Sequence, residues 1–437
     1  MAGPRGRLVL QLLGIAGALV VLLFSAHALW KPVAPILSNR SVGARSDFAW
    51  YYTAFRSIWD GLAPTVTMYN VPFEDQFMRF LGIGYDHLDL YSYPPMFALL
   101  FSPFAKLNYV QSRQWWSYFT MGAYLVALIP TVLLACPEPR PARRLLLASL
   151  GFWAFPLLNN FSLGQSDTLT LLCIAAGLWL IYARRAEIAG GAMLGLGAML
   201  KVTPAITLPY LLLRGRWRAA AGGFGFVAVG CVVAGLGLSW RTLVNYVKVV
   251  LPAVEASAYA HGPAPWNQSF RGMLMRYLHR PPTALTHLDH LFVAVLFGAL
   301  VLLFWLRPGI DVRLEAAVIA LLPLFGSPSL ETHHFVLTIL PEILLGGYLV
   351  DHLSQFVSWP MWLPYVVSVV FLAVPNYKFG PDVGMYLFGP KGVGYLPLKT
   401  GLENLISNGQ HFWCICLLLF IAVLAALGMR PNPAKAG

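Results

Sequence analysis

Residues 8–30 read LVLQLLGIAGALVVLLFSAHALW, a run without a single Asp, Glu, Lys or Arg. At about 1.5 Å of rise per residue, a helix of that length crosses the ~30 Å hydrocarbon layer of a bilayer. Arg5 and Arg7 stand ahead of it, so a cleaved signal peptide is the alternative. The apolar stretch is too long for that, and no small-x-small cleavage site leads into a soluble domain. The run reads as a retained transmembrane helix.

The same quality recurs along the chain. Further apolar segments fall at 94–107, 113–135, 145–160, 167–182, 189–213, 219–239, 291–306, 314–326, 335–350, 360–374 and 411–428. Of the 437 residues, 58% are hydrophobic and 11% are charged, against roughly a quarter charged in a soluble domain. The expectation is an all-α, polytopic transmembrane bundle with about twelve membrane segments, forming a single unit over residues 1–437.

The net charge of +12 lies mostly in short connectors: Arg140/Arg143/Arg144, Arg184/Arg185, Arg214/Arg216/Arg218 and Arg307/Arg313. Positively charged cytoplasmic loops produce this distribution. A nucleic-acid partner would need a basic face on a soluble fold, and none is present. The five cysteines (Cys136, Cys173, Cys231, Cys414 and Cys416) lie in or beside apolar helices without metal-ligand spacing, so they read as packing residues.

Both termini carry the cationic mark of the cytoplasmic side, Arg5 and Arg7 at one and Arg430 and Lys435 at the other. Tracing back from the C-terminus puts 375–410, 327–334 and 240–290 outside, and the long hydrophilic stretch 31–93 is outside as well. Placing Arg184/Arg185 and 214–218 on the same inner side forces 189–213 to enter and leave by one face. Lys201, Thr203 and Pro204 interrupt that segment, as a broken or re-entrant helix requires. No internal repeat is evident.

Residues 31–93 hold six of the 18 acids: Asp47, Asp60, Glu74, Asp75, Asp86 and Asp89. Phe48, Tyr51, Tyr52, Phe55 and Trp59 recur at helical period, with Ser46 as N-cap, and Phe73, Phe77, Phe80 and Leu81 repeat the pattern. The expectation is amphipathic helices at the membrane interface. Asp47 then sits in a first helical turn above the membrane. It either complements the helix dipole or acts as a general base where a lipid headgroup meets a polar acceptor. Lys201, inside an apolar segment, is either a functional cation or a snorkelling side chain.

His333 and His334 follow Glu331. Adjacent histidines on a helix diverge by about 100°, so joint ligation of one ion is awkward; one of them bonding a phosphate or acceptor competes with a structural role. Gln165, Asn267 and Gln268 offer amides suited to a sugar or to helix capping, and Arg271 offers a phosphate partner. A haem reading of His87, His261, His287, His290 and the pair lacks an axial arrangement. Asp167 and Arg276 carry no assignment.

Five strings occur in order. They are Asp47-Phe48 with Tyr51-Tyr52, Gly61-x-x-Pro64, Tyr69 and Tyr93-Pro94-Pro95; then Asn160-x-x-x-Gly164-Gln165; then Gly191-x-x-x-Gly195-x-Gly197-x-x-x-Lys201-x-x-Pro204. Asn267-Gln268-Ser269 follows, and Ser327-Pro328 precedes His333-His334. Together they resemble the family 87 glycosyltransferases, GT-C-type membrane enzymes that include polyprenol-phosphate-mannose-dependent α-mannosyltransferases. The resemblance implies a GT-C-type bundle in the cytoplasmic membrane, with its site facing the periplasm or exterior. It implies Asp47 as base, with inversion at the anomeric carbon, and a polyprenyl-phosphate sugar as donor, mannose first. Lys201, His333, His334 and Arg271 would hold the donor phosphate, and Tyr51, Tyr52, Gln165, Asn267 and Gln268 the sugar or acceptor. The acceptor is a glycolipid or envelope glycan; no metal site is expected, and the Asp-x-Asp pair of some GT-C relatives is missing.

Two other classes compete. A lipid-linked polysaccharide polymerase or ligase has its largest outside loop in the second half of the chain, whereas the acid-rich loop here comes first. A transporter places ionisable groups at the midplane of symmetry-related broken helices.

Overall fold

The computed structural model describes residues 4–38, 46–83, 91–260, 266–278, 286–352, 361–374 and 409–428. Asp86, His87, Asp89, His261, Arg430, Lys435 and most of the loop 375–410 lie outside the described residues, as do the side chains of Arg5, Arg7 and Arg276. Among the described residues every regular element is helical. The first half contains α1 (Pro4–Ser38), α2 (Phe48–Trp59), α3 (Pro64–Thr67), α4 (Val71–Phe80), α5 (Pro95–Phe101), α6 (Tyr109–Ala135), α7 (Pro141–Leu150), α8 (Phe155–Leu163), α9 (Asp167–Tyr182) and α10 (Glu187–Leu200). Then follow α11 (Thr207–Leu213), α12 (Trp217–Gly237), α13 (Trp240–Asn245), α14 (Leu251–Ala260), α15 (Phe270–Leu278), α16 (Thr286–Leu306), α17 (Val312–Phe325), α18 (Ile339–Asp351), α19 (Trp362–Ala373) and α20 (Gln410–Gly428).

All twelve apolar segments emerge as helix, but they differ in length. Among the described residues six helices are long and apolar enough to cross a bilayer alone, or seven if the pair Pro141–Trp153 and Phe155–Leu163, bent by 56°, is one broken span. Asp167–Tyr182, Glu187–Leu200, Thr203–Leu213 and Trp362–Ala373 are apolar but shorter. Exposed leucines and valines along α1, such as Leu13 (63%) and Val20 (65%), leave a greasy outer surface that only lipid would solvate. The protein is a polytopic membrane protein.

The glycine-rich helix α10 explains the broken segment. Its glycines meet two neighbours: Gly190 and Gly197 face Ile181 and Cys173 of α9, an antiparallel order, whereas Gly191 and Gly195 face Ala219 and Gly223 of α12, a parallel one. With α10 and α12 parallel, the intervening stretch 201–213 has to run back to the end where α10 began. Residues 187–213 thus start and finish at one end of the bundle, as the charge parity requires. The turn is made at Lys201, which is extended (φ −151°, ψ 133°), followed by a 3₁₀ turn over Thr203–Ile206.

The first loop departs from expectation. Nine of the twelve residues of α2 are buried, among them Phe48, Tyr51, Tyr52 and Phe55, so α2 is inserted into the bundle instead of lying on it. Its anchor is Trp116 of α6, whose ring lies 5.0–6.0 Å from those of Phe48, Phe97, Phe101 and Phe104. Ser46 is not the N-cap: Asp47 occupies that position, without a side-chain cap bond, and the Ser46 hydroxyl is drawn to Arg113 and Tyr109. α4 fits the interfacial picture better. Its Phe73, Phe77 and Phe80 rings stack along the outer face, with Phe80 81% exposed, while Glu74 and Met78 point inward.

A Cβ on Gly191 would sit 1.8 Å from the Ala219 carbonyl oxygen, whereas one on Gly225, on the same seam helix α12, meets nothing within 4 Å. Gly191→Ala should therefore destabilise the protein by about 1–3 kcal/mol through overpacking, visible as a lowered Tm in detergent. Gly225→Ala should leave Tm unchanged or slightly raised. Equal melting of the two variants would contradict the seam.

Candidate active site

The site grows from the junction between α8 and α9. Gly164 ends α8 in the left-handed region (φ 73°), and the Gln165 N–H donates back to the Asn160 carbonyl at 2.9 Å. This is a glycine C-cap, and no other residue fits: a Cβ there would lie 2.8 Å from Arg113 Nε and 2.9 Å from Phe48 Cβ. Asn160 Oδ1 accepts from the Asp167 N–H at 3.2 Å, closing the hinge on its far side. Buried Arg113 donates to the Phe161 and Ser162 carbonyls at 2.6 and 3.2 Å and to Ser46 Oγ at 3.2 Å. It satisfies the end of α8, where cations are favoured, and ties that end to the residue beside Asp47.

Gln165 is thereby turned towards α2. Its Nε2 donates to Asp47 Oδ2 at 2.6 Å, while Oε1 lies 2.5 Å from the Tyr51 hydroxyl and 2.8 Å from that of Tyr93. Hydroxyls donate to an amide oxygen, so the amide NH₂ is left facing the carboxylate. Burial, then the neighbouring Tyr93, raises Tyr51 well above its ordinary pKa, so it remains a neutral donor. Asp47 itself keeps partial exposure.

Two residues past Gln165, the hinge delivers Asp167. Its side chain is wholly buried, and Lys201 Nζ donates to Oδ1 at 2.6 Å. The pairing follows from the α9–α10 hairpin: α9 has 16 residues and α10 has 14, so their far ends lie level, one opening with Asp167 and the other closing on Lys201. The ammonium stands 5.7 Å from the centre of the Tyr93 ring, which joins it to the Asp47–Gln165–tyrosine cluster. Asp167 Oδ2 has no hydrogen-bond partner among the described residues, and His333 Nε2 is 3.8 Å away, too far for a direct bond.

The two histidines are closer than helical divergence suggests, with ring centroids 4.2 Å apart. They sit on a 3₁₀ turn, Thr332–Thr338, where His334 Nδ1 accepts from the Glu331 N–H at 2.9 Å as half of a capping box. His334 is thus engaged in its own turn, and His333 is the one aimed at Asp167. Asn267 and Gln268 approach this turn from another loop. Asn267 Oδ1 accepts from the Leu330 N–H at 3.2 Å, and Gln268 Oε1 accepts from the His411 N–H at 2.9 Å.

Two expected members stand apart. Arg271 is fully buried but committed to Asp289 (2.7 Å) and Glu255 (3.3 Å), and the Tyr52 hydroxyl donates to the Leu107 carbonyl at 2.8 Å. Among the described residues, no three His, Cys, Asp or Glu side chains are grouped to hold a metal ion. Asp167, Tyr93 and Arg113 have no site role in the sequence reading, although Tyr93 stands in one of its motifs. Asp167 had a usable signal, an acid opening an otherwise apolar segment, whereas Arg113 offered none.

This is a polytopic membrane protein with a carboxylate, an amide relay and a buried lysine converging at one end of its bundle. Residues 91–328, more than half of the chain, match glycosyltransferase family 87, and the chain belongs to that family. The match begins after Asp47 and ends before His333. A polyprenol-phosphate-mannose-dependent α-(1-2)-phosphatidylinositol mannoside mannosyltransferase of Mycobacterium tuberculosis is 31% identical over 282 residues, covering 59% of this chain and 62% of that relative. One so named from Mycolicibacterium smegmatis is 31% identical over 292 residues, 60% of this chain and 63% of the relative. A phosphatidylinositol pentamannoside mannosyltransferase of M. tuberculosis is 27% identical over 253 residues, 56% of each chain. The chain thus spans less than two thirds of the length of these relatives. No solved structure matches.

The loop beside the site carries a pH-sensitive group. Glu74 is 2% exposed, and its Oε2 lies 3.4 Å from the Tyr91 N–H, two residues before Tyr93. Burial pushes its carboxyl from 4.5 up to about 8. The folded protein therefore holds a proton that the unfolded chain releases near its ordinary value. This stabilisation is complete at low pH and is lost as pH rises through about 8. Tm should fall between pH 6 and pH 9, and Glu74→Gln should flatten that slope; an unchanged slope in the variant would refute the assignment.

Proposed function

We propose that the protein transfers a mannosyl group from a polyprenyl-phosphate donor to a phosphatidylinositol-mannoside-type glycolipid on the non-cytoplasmic face of the cytoplasmic membrane. The reading is carried by one observation: Asp47 and Lys201 flank a single rigid hinge, joined through Gln165, Tyr51 and Tyr93. Family membership and the names of the relatives support the donor and acceptor classes.

In this reaction the acceptor hydroxyl gives its proton to Asp47 while its oxygen bonds to the anomeric carbon. The bond from that carbon to the phosphate oxygen breaks, and the polyprenyl phosphate leaves with the electron pair. Displacement from the opposite side inverts the anomeric centre. Gln165 fixes the orientation of Asp47, so that proton transfer needs no reorganisation. Lys201 neutralises the charge gathering on the phosphate. One of its N–H groups donates a hydrogen bond to Asp167, and the others remain for the phosphate. His333, level with Asp167, is a second donor to the same group. Arg271, buried on its own carboxylates, supports the loop that carries Asn267 and Gln268.

In proteoliposomes supplied with polyprenyl-phosphate mannose and the glycolipid, Asp47→Asn should lower the turnover by roughly 10²–10⁴-fold, the usual worth of a general base. Transfer at the wild-type rate by that variant would overturn the base assignment. Asp167→Asn should weaken Lys201's grip on the donor, raising the donor KM with a smaller loss in kcat. A variant with unchanged KM would make Asp167 merely structural.

A further inference from the structure

Arg113 lies on α6 with 6% of its surface exposed, yet among the described residues no carboxylate pairs with it. The two other buried arginines are answered, Arg271 by Asp289 at 2.7 Å and Arg313 by Asp311 at 2.6 Å. Arg113 has instead the hydroxyls of Ser46 and Ser117 and the carbonyls of Phe161 and Ser162. Its Nη2 alone reaches both carbonyls at the end of α8, work that a neutral amide could do. A charge taken out of water is costly unless another charge compensates it, so the cation itself calls for an anion.

The geometry leads to Asp47. Arg113 Nε donates to Ser46 Oγ at 3.2 Å, and the guanidinium carbon stands 6.0 Å from the centre of the Phe48 ring. Ser46 and Phe48 are the chain neighbours of Asp47 on either side. Asp47 is also the carboxylate whose charge reaches the guanidinium. As the N-cap of α2 it lies at the positive end of that helix, so two fields of one sign meet there.

The other groups around Asp47 carry no competing claim. Tyr51 on α2 is a neutral donor, and Tyr109 stands beside Arg113 on α6. Tyr93 and the uncharged Gln165 share a hydrogen bond, and Asp167 beyond them is answered by Lys201. Among the described residues, Arg113 is the cation near Asp47 that no carboxylate claims.

We infer that Arg113 is a positioning residue for the transfer reaction: its buried charge keeps Asp47 ionised and ready for the acceptor's proton, while its fork of donors fixes the start of α2 against the hinge. The inference rests on the reading of Asp47 as the base. A neighbouring cation favours the ionised form of a carboxylate. Without that charge Asp47 takes up its proton at higher pH, and transfer fails earlier on acidification. Loss of the fork's hydrogen bonds alone lowers the rate at every pH.

The test is the pH profile of mannosyl transfer in proteoliposomes, read on its acid side. Arg113→Gln should move the acid limb of kcat upward by about one pH unit. Arg113→Lys, which keeps the charge but not the fork, should lower the plateau and leave the limb within about 0.3 unit of wild type. An unmoved limb in folded Arg113→Gln, or an equal movement in Arg113→Lys, would overturn the inference. If Arg113→Gln does not fold, Ser46→Ala decides: it removes one hydroxyl and keeps the charge, so the plateau should fall with the limb in place. A limb displaced in Ser46→Ala would assign the effect to the hydroxyl and overturn the role of the charge. Asp47→Asn, assayed in the same vesicles, separates the two readings. If it is inactive, an unmoved limb in Arg113→Gln refutes Arg113 alone; if it is fully active, the base assignment and this inference fall together.

Discussion

The ion pair between Asp167 and Lys201, 2.6 Å long and almost fully buried, is the constraint to which the rest of the site is fitted. Two charges taken out of water cost several kcal/mol each unless geometry and further hydrogen bonds compensate. Removing either partner would strand the other in an apolar helical hairpin. The pair forms only if α9 and α10 run antiparallel in fixed register, which the close contacts of Gly177 with Gly190 and of Cys173 with Gly197 establish. Slipping α10 by one residue would move Lys201 about 1.5 Å along the axis and turn it about 100° away. The glycines of α10 are therefore part of the electrostatics: they let three helices approach closely enough to hold one lysine in place.

The hinge at 164–167 converts that constraint into a two-sided site. Gln165 and Asp167 stand two residues apart and face different partners, Asp47 on one side and Lys201 on the other. Because Gly164 is boxed in by Arg113 and Phe48, the hinge cannot rotate freely. For the proposed reaction this fixes the distance between proton acceptor and phosphate-binding cation before any substrate arrives, the condition under which proximity and electrostatic stabilisation are worth most.

Much of this was legible in the sequence. The apolar segments, the break at Lys201 and the return of 189–213 to its starting end follow from hydropathy, a Lys-x-x-Pro interruption and the parity of charged connectors. Asp47 and Gln165 were named from motifs 118 residues apart, and they share a hydrogen bond. The failures have a common cause. Aromatic periodicity in 48–59 shows that a face is apolar, not that the other faces are buried too, so α2 was placed at the interface. Arg271 looked like a phosphate ligand because its acids, Glu255 and Asp289, are 16 and 18 residues away. Asp167 went unassigned because its partner is 34 residues distant, and only the hairpin closes that gap. Periodicity reports on one helix; pairing is a property of two.

The balance of charge at the site end bears on what it can bind. At the site end Asp167 answers Lys201, and Asp289 and Glu255 answer Arg271. The lysine there has donors to spare but a carboxylate already beside it. A donor phosphate would join an assembled pair instead of filling an empty cationic hole, a setting suited to a group that must be released after each turnover. The other end answers its arginines in the same way, Arg214 with Glu315, Arg216 with Glu187, and Arg313 with Asp311 and Asp351. Pairing of these cations is thus common to both ends of the bundle, and what sets the site end apart is that its ion pair stands beside the Gln165 amide and the carboxylate of Asp47.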